Sequence, residues 1–279
     1  MDRAIYHKGF YEISESTKLI CPECNKGELV IVQKNVEIGG YDTYNKKAKS
    51  HEDFDIDWLQ NSFHGFLLCN KCHEKIAFAG KSDIGMRIYL DGEGPDCYDR
   101  LTIEYIERPP HIIEIHSKVP KKVKKIILDS FKLFWVDLNS CANKIRICLE
   151  LIMDMSNIQK FQIVKHHRKP LSLHERIINF SKNDTALKII LTSIKWIGNY
   201  ASHNENINKD DILDGYILLD LALKKIYVNN EKEIMKIASS INSSKKPRSK
   251  KPGAKKIKSP IKVGNKLTRN LLFNPSLLV

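Results

Sequence analysis

The chain has 279 residues, 42% of them hydrophobic and 28% charged, the proportions of a globular protein long enough for one large or two modest cores. No apolar run approaches the roughly 20 residues that span a bilayer, and the opening MDRAIYHKGFYEIS lacks the apolar stretch of a secretory signal, so a membrane span is excluded and a cytoplasmic location is expected. The formal charge of +13 is concentrated at one end: residues 241–279 hold eleven Lys or Arg and no Asp or Glu, which leaves +2 for residues 1–240.

Residues 1–108 read as strands and turns. The runs ELVIVQ, GFLLC, KIAFAG, MRIYL and LTIEYIE alternate with Gly, Asp and Asn, and residues 35–61 read as an irregular insertion. Two C-x-x-C pairs, Cys21-Pro22-Glu23-Cys24 and Cys69-Asn70-Lys71-Cys72, flank that insertion. Each pair lets two thiolates reach one ion from a tight turn, and together they supply the four soft ligands of a tetrahedral zinc site with no open position. Such a zinc is structural, and the segment is expected to be a zinc-ribbon β module. Gly27 lets the first turn fold back. His73, next to the last cysteine, is a weaker ligand candidate, and Cys97, Cys141 and Cys148 are expected in or near the core.

Pro109-Pro110 marks a connector, and beyond it the period changes to that of helices. Val123, Ile126, Ile127, Phe131 and Phe134 form one stripe ending near Trp135. Ser140 is expected to cap a second helix whose face carries Ala142, Ile145, Leu149, Ile152 and Met153. A shorter helix is expected over Leu173–Phe180. A fourth is capped by Asp184, and a fifth, capped by Asp210 or Asp211, reaches Tyr227. The basic run His166-His167-Arg168-Lys169 falls in a loop, in reach of phosphate or merely solvated. Trp196 and Tyr200 are expected to pack in the core or a dimer interface.

The residues Val119-Pro120, the helix segment Ile145-Arg146-Ile147-Cys148-Leu149-Glu150, the element Leu173-His174-Glu175-Arg176-Ile177 and the run Gly198-Asn199-Tyr200-Ala201-Ser202-His203 occur in that order. In order and spacing they resemble the domain of unknown function numbered 4145 (DUF 4145), over about residues 109–228. That family is similar to the HEPN superfamily of helical bundles, which includes dimeric ribonucleases and inactive binding versions. The resemblance implies a HEPN-like helical domain over 109–241, a homodimer and a setting in bacterial defence against phage or mobile DNA. The HEPN motif runs Arg, a polar residue, three variable residues, His. Asn199 and His203 match it, but Gly198 stands where the arginine belongs. A metal-independent ribonuclease would then use His203 as acid or base, Asn199 to orient it, and Lys195 or Arg146 to steady the charged transition state. The other reading makes Arg146, Glu150, Asn199 and His203 a buried polar network that fixes helix register.

Residues 242–279 are too charged and too poor in apolar side chains to order alone. Their cations, Lys245, Lys246, Arg248, Lys250, Lys251, Lys255, Lys256 and Lys258 foremost, are expected to contact DNA or RNA through counterion release. The fold class expected is α+β: a β-rich zinc-ribbon module, an all-α HEPN-like bundle and a disordered basic tail. The leading functional expectation is a zinc-binding, nucleic-acid-associated binding module. The alternatives are the ribonuclease and a protein–protein adaptor with a partner at the Leu-rich terminus. No P-loop, dinucleotide glycine motif, H-E-x-x-H or nucleophile elbow is present.

Overall fold

A computed structural model of the chain describes residues 3–13, 15–87, 96–203, 207–228 and 231–245. Residues 1–229 form one compact unit. A short helix α1 (Arg3–His7) precedes β1 (Tyr11–Glu12), β2 (Ser16–Ile20) and β3 (Glu28–Gly40). Helix α2 (Asp42–Lys49) and a 3-10 turn (Ile56–Trp58) lead into β4 (Asn61–Cys69), β5 (Lys75–Arg87) and β6 (Asp96–Ile106). The stretch read as an irregular insertion is thus partly regular, with β3 running on to Gly40 before α2.

The six strands form one antiparallel sheet in the order β1-β6-β5-β4-β3-β2. The two edge strands are consecutive in the chain, and that fixes the sheet's shape. From Glu12 to Ser16 the backbone covers at most about 15 Å, whereas six strands laid flat would hold their edges about 24 Å apart. The sheet must therefore curl toward closure. Its concave face buries Leu19, Leu29, Ile31, Phe63, Leu67, Ile76, Phe78 and Leu101, with the Phe63 and Phe78 rings 5.1 Å apart.

Helices follow: α3 (Lys121–Val136), α4 (Leu138–Met155), α5 (Leu173–Phe180), α6 (Thr185–His203) and α7 (Lys209–Leu223), the last ending in a π-helical turn (Lys224–Val228). The apolar stripe expected for the first of these is its buried face, with Val123, Ile127, Phe131 and Phe134 all inside. The caps differ in part from expectation. Asp137, not Ser140, caps α4, accepting the Ser140 N–H at 3.0 Å. Asn208 caps α7 in a reciprocal capping box in which Asp211 is the third helical residue. Asp184 does cap α6, its Oδ1 accepting the Leu187 N–H at 2.8 Å. At the bundle centre Tyr216 is fully buried. Its hydroxyl donates to Ser130 Oγ at 2.8 Å, and Ser130 donates in turn to Ile127 O at 2.6 Å. Cys141 and Cys148 are buried as expected, but Cys97 is exposed on β6.

The expected α+β order holds, with the sheet first and the helices after it, but the components differ. The N-terminal part is not a compact zinc-ribbon module; it is the six-stranded curled sheet, with the cysteines confined to one end. Ribbon and sheet share the same strand and turn pattern, and only the pairing of β1 and β6 across the whole segment separates them. The helical part is not all-α either. A hairpin, β7 (Phe161–Val164) and β8 (His167–Pro170), occupies the stretch read as a basic loop. In the second unit, residues 230–279, helix α8 (Glu231–Ser244) runs past the boundary expected for the tail.

Candidate metal centre and the α4–α6 crossing

Two turns at one end of the sheet carry the four cysteines: Cys21 and Cys24 between β2 and β3, Cys69 and Cys72 between β4 and β5. Strands β3 and β4 are antiparallel neighbours with Leu29 opposite Cys69, so the turn entering the first lies beside the turn leaving the second. The 44 residues between Cys24 and Cys69 are spent inside the sheet and its α2 excursion, not in separating the ligands.

The two turns are near copies. The Asn25 N–H donates to Cys21 O at 2.9 Å and the His73 N–H to Cys69 O at 3.1 Å, and both residues adopt left-handed backbone, with φ of 51° and 59°. His73 has the place in its turn that Asn25 has in the other, and the metal-capable group comprises only the four cysteines. Backbone donors point at sulfur: Gly27 N–H to Cys24 Sγ at 3.3 Å, and Lys71 and Cys72 N–H to Cys69 Sγ at 3.4 Å each. Asn70 joins the turns, donating its N–H to Glu28 O and accepting the Glu28 N–H on Oδ1, both at 3.0 Å.

The sulfurs of Cys21 and Cys72 lie 3.8 Å apart, those of Cys24 and Cys69 3.7 Å, and all four fall within 4.8 Å of one another. A disulfide needs about 2.05 Å. Thiolates placed tetrahedrally around an ion at about 2.3 Å stand about 3.8 Å apart. The donor set therefore fits a metal ion. Electrostatics agree: the Gly27 and Lys26 N–H groups draw the Cys24 thiol down to about 6. At Cys72 the Glu74 N–H acts in the same direction, but desolvation and the other three thiols push it up to about 12. Four thiolates this close repel unless a cation sits among them.

Two further residues support the site, and local spacing marks only Gly27 of them. A Cβ on Gly27 would stand 2.4 Å from Cys69 Sγ, so the glycine is a condition of sulfur convergence as well as of the turn. Arg108, just beyond β6, donates to Glu23 at 2.7 Å, Glu74 at 2.7 Å and Lys75 O at 3.0 Å. It clamps both turns. Only its place before Pro109-Pro110 distinguished it in the sequence.

The second candidate cluster lies where α4 crosses α6. Arg146 pairs with Glu150 one turn later at 3.2 Å, its Nε buried without a partner. Lys195 is only 6% exposed, and its Nζ sits 3.6 Å from the centroid of the Trp196 ring. Burial, then the nearby Arg146 charge, lowers the Lys195 pKa. Among the described residues Lys195 makes no ion pair, and half-buried Asn199 makes no side-chain hydrogen bond. His203 ends α6, and its side chain lies outside the described residues.

Gly198, where the expected HEPN motif would carry an arginine, has a steric cause. A Cβ on Gly198 would lie 2.5 Å from Arg146 Cβ and 3.2 Å from Ala142 O, so no side chain fits without parting the helices. Arg146 and Lys195 are thereby brought together, whereas Trp196 and Tyr200 are exposed on the single chain and lie outside its core. Arg176, of the Leu173–Ile177 element, is buried and donates to Asp154 Oδ1 at 2.6 Å and Ile158 O at 3.2 Å. Of the tail cations, Lys246, Arg248, Lys250, Lys251, Lys255, Lys256 and Lys258 lie outside the described residues.

Residues 129–244 match the family described as Domain of unknown function (DUF4145), which bears out that resemblance over residues 129–228 and carries it on through α8. The Val119-Pro120 pair lies before the match. Residues 10–103 match a second family, Domain of unknown function (DUF8608), whose span takes in β1, both cysteine turns and most of β6. No curated protein and no solved structure matches the chain. Among the described residues no helix is long and apolar enough to cross a membrane.

Proposed function

We propose that the chain is a zinc-anchored nucleic-acid-binding module. The single observation that carries the nucleic-acid reading is the segregation of charge: eleven cations and no acid in residues 241–279, beside a body of net +2. A cationic arm of this kind gains affinity for any phosphate backbone by releasing condensed counterions. Zinc is the ion of choice for the cysteine tetrad because it takes four thiolates tetrahedrally at the observed spacing, and a site with no open position is structural. In this reading Cys21, Cys24, Cys69 and Cys72 would tie β2–β3 to β4–β5 and keep the curled sheet in register.

The test is retention of mixed DNA and RNA by the purified chain across a salt series, with the eight tail cations from Lys245 to Lys258 replaced by Ser as comparison. The expected result is salt-sensitive binding whose log–log slope falls by about 0.7–0.9 per cation removed that had met a phosphate. Equal binding by both proteins, or none by either, overturns the tail's role.

One observation favours a second reading, RNA cleavage without metal. Arg146 of α4, paired with Glu150 on the same helix, stands near Lys195 of α6, the helix that ends at His203. Attack of a ribose 2′-hydroxyl on the adjacent phosphorus, releasing the 5′-hydroxyl, needs such a cation and a group like His203 to move the proton. Cleavage in EDTA that disappears in His203→Ala would make the enzyme reading the better one.

A further inference from the structure

The hairpin formed by β7 and β8 belongs to neither cluster described above. Its register is Phe161 opposite Pro170, Gln162 opposite Lys169, Ile163 opposite Arg168 and Val164 opposite His167. Lys165 and His166 form the two-residue tip with φ of 48° and 63°, the left-handed pair of a type I′ turn that suits the twist of a tight ribbon. All of its residues but Gln162 are exposed, Ile163 at 82%. The Arg168 guanidinium stacks 3.8 Å from the centroid of the Phe161 ring, on the face these residues share with Ile163.

No Asp or Glu occurs between Asp154 and Glu175, while Lys160, Lys165, Arg168 and Lys169 do. Lys160 is paired with Asp154 at 2.7 Å. Lys165, Arg168 and Lys169 make no ion pair among the described residues. The result is a projecting two-stranded ribbon with a cation at its tip, cations on both faces, and apolar side chains set behind the tip.

We propose that this hairpin inserts into the major groove of duplex DNA. The width agrees: two strands about 4.8 Å apart, with their side chains, match a B-form major groove about 12 Å wide, which admits a β-ribbon. Charge agrees too, since the phosphate walls would flank Lys165, Arg168 and Lys169, while Ile163, on the opposite face of the ribbon from Val164, meets the base edges, where apolar side chains contact thymine methyls. A-form RNA offers a major groove too narrow for this entry. A lipid surface fits less well, because insertion would drive Lys165 and His166 into hydrocarbon ahead of Phe161, Ile163 and Val164. The inference rests on the nucleic-acid reading above but assigns a separate site, one that places the protein in a groove where the tail supplies only general attraction.

The experiment compares the full-length wild-type chain with the full-length triple variant Lys165→Ala, Arg168→Ala, Lys169→Ala. Binding is measured across a salt series to a short DNA duplex, an RNA duplex of the same sequence, and phosphatidylserine vesicles, with thermal melts as a folding control. The expected result is an unchanged melt and a salt slope on duplex DNA lower by about 2–3, with affinity at moderate salt lower by at least tenfold. A slope on DNA that does not change overturns the hairpin site and leaves the nucleic-acid reading standing. Equal losses on RNA overturn the major-groove assignment. Vesicle binding that exceeds DNA binding and is lost in the variant overturns it in favour of a membrane. Wild-type protein that binds no nucleic acid sinks both readings together.

Discussion

The cysteine end of the sheet and the α4–α6 crossing both bring together side chains of chemical promise, yet they differ in completeness. At the first, four sulfurs converge from two near-identical turns, backbone N–H groups donate to two of them, and Arg108 holds both turns from outside. At the second, among the described residues Lys195 has an aromatic face but no carboxylate, and Arg146 Nε has no partner. The first arrangement is closed around one point and its four sulfurs could hold a cation. The second is shaped by how closely two helices cross, with its polar groups accommodated at the margin. Sequence motifs of equal prominence can thus mark a converged donor set in one place and a packing constraint in another.

The largest expected effect breaks the first site. Replacing Cys69 with Ser removes a fully buried ligand and the acceptor of two backbone N–H groups. Thermal denaturation should show a loss of about 3–5 kcal/mol, on the order of 10 °C in Tm, and chelation of the wild type should reproduce it. A Tm unmoved by both would mean that the sheet holds its register without an ion.

At the crossing, Gly198→Ala is predicted to cost about 1–3 kcal/mol through overpacking, because the obstructing atom is Arg146 Cβ, which is fixed to the α4 backbone. Urea denaturation measures it. A neutral result would show that α4 and α6 can separate at no cost, and with it the steric account of Gly198 would fall.

The smallest effect is pH-dependent and lies nearby. Burial alone would raise the Asp154 pKa, but hydrogen bonds from Lys160 and Arg176 hold it below the ordinary value. A depressed carboxylate contributes stability that is fully present above the unfolded value of about 4 and is lost as pH falls through the folded one. Asp154→Asn should therefore destabilise at pH 7 by about 1–2 kcal/mol, since the carboxylate is one-third exposed while Arg176 is nearly buried. The gap to wild type should close toward pH 3. A gap independent of pH would assign the loss to shape instead of charge.

Much of the helical region was legible because apolar residues recur with the helical period, and each of the five expected helices is a helix of the bundle. The caps were less so: Asp137 and Asn208 compete with neighbours of the same chemistry, Ser140 and Asp210, and only backbone geometry decides between them. The four cysteines could be read from local spacing, but the sheet around them could not. Strand periodicity says nothing about which strands pair, and the edge pairing of β1 with β6 links residues some 90 positions apart. The hairpin was missed because Lys165-His166 is not a sequence signal for a left-handed turn as Asn-Gly would be. Arg108 and Asp154 act through partners distant in the chain, which no local pattern announces.

The central claim is that the four cysteines hold one metal ion, and the most direct measurement is the metal content of the purified chain by elemental mass spectrometry alongside a thiol titration. The account predicts one zinc per chain, with exposed Cys97 alone of the seven cysteines reacting in the native protein, because Cys141 and Cys148 are buried, and all seven reacting after chelation and denaturation. Metal-free protein that is fully folded, with Cys21, Cys24, Cys69 and Cys72 all titrating as free thiols, would contradict it.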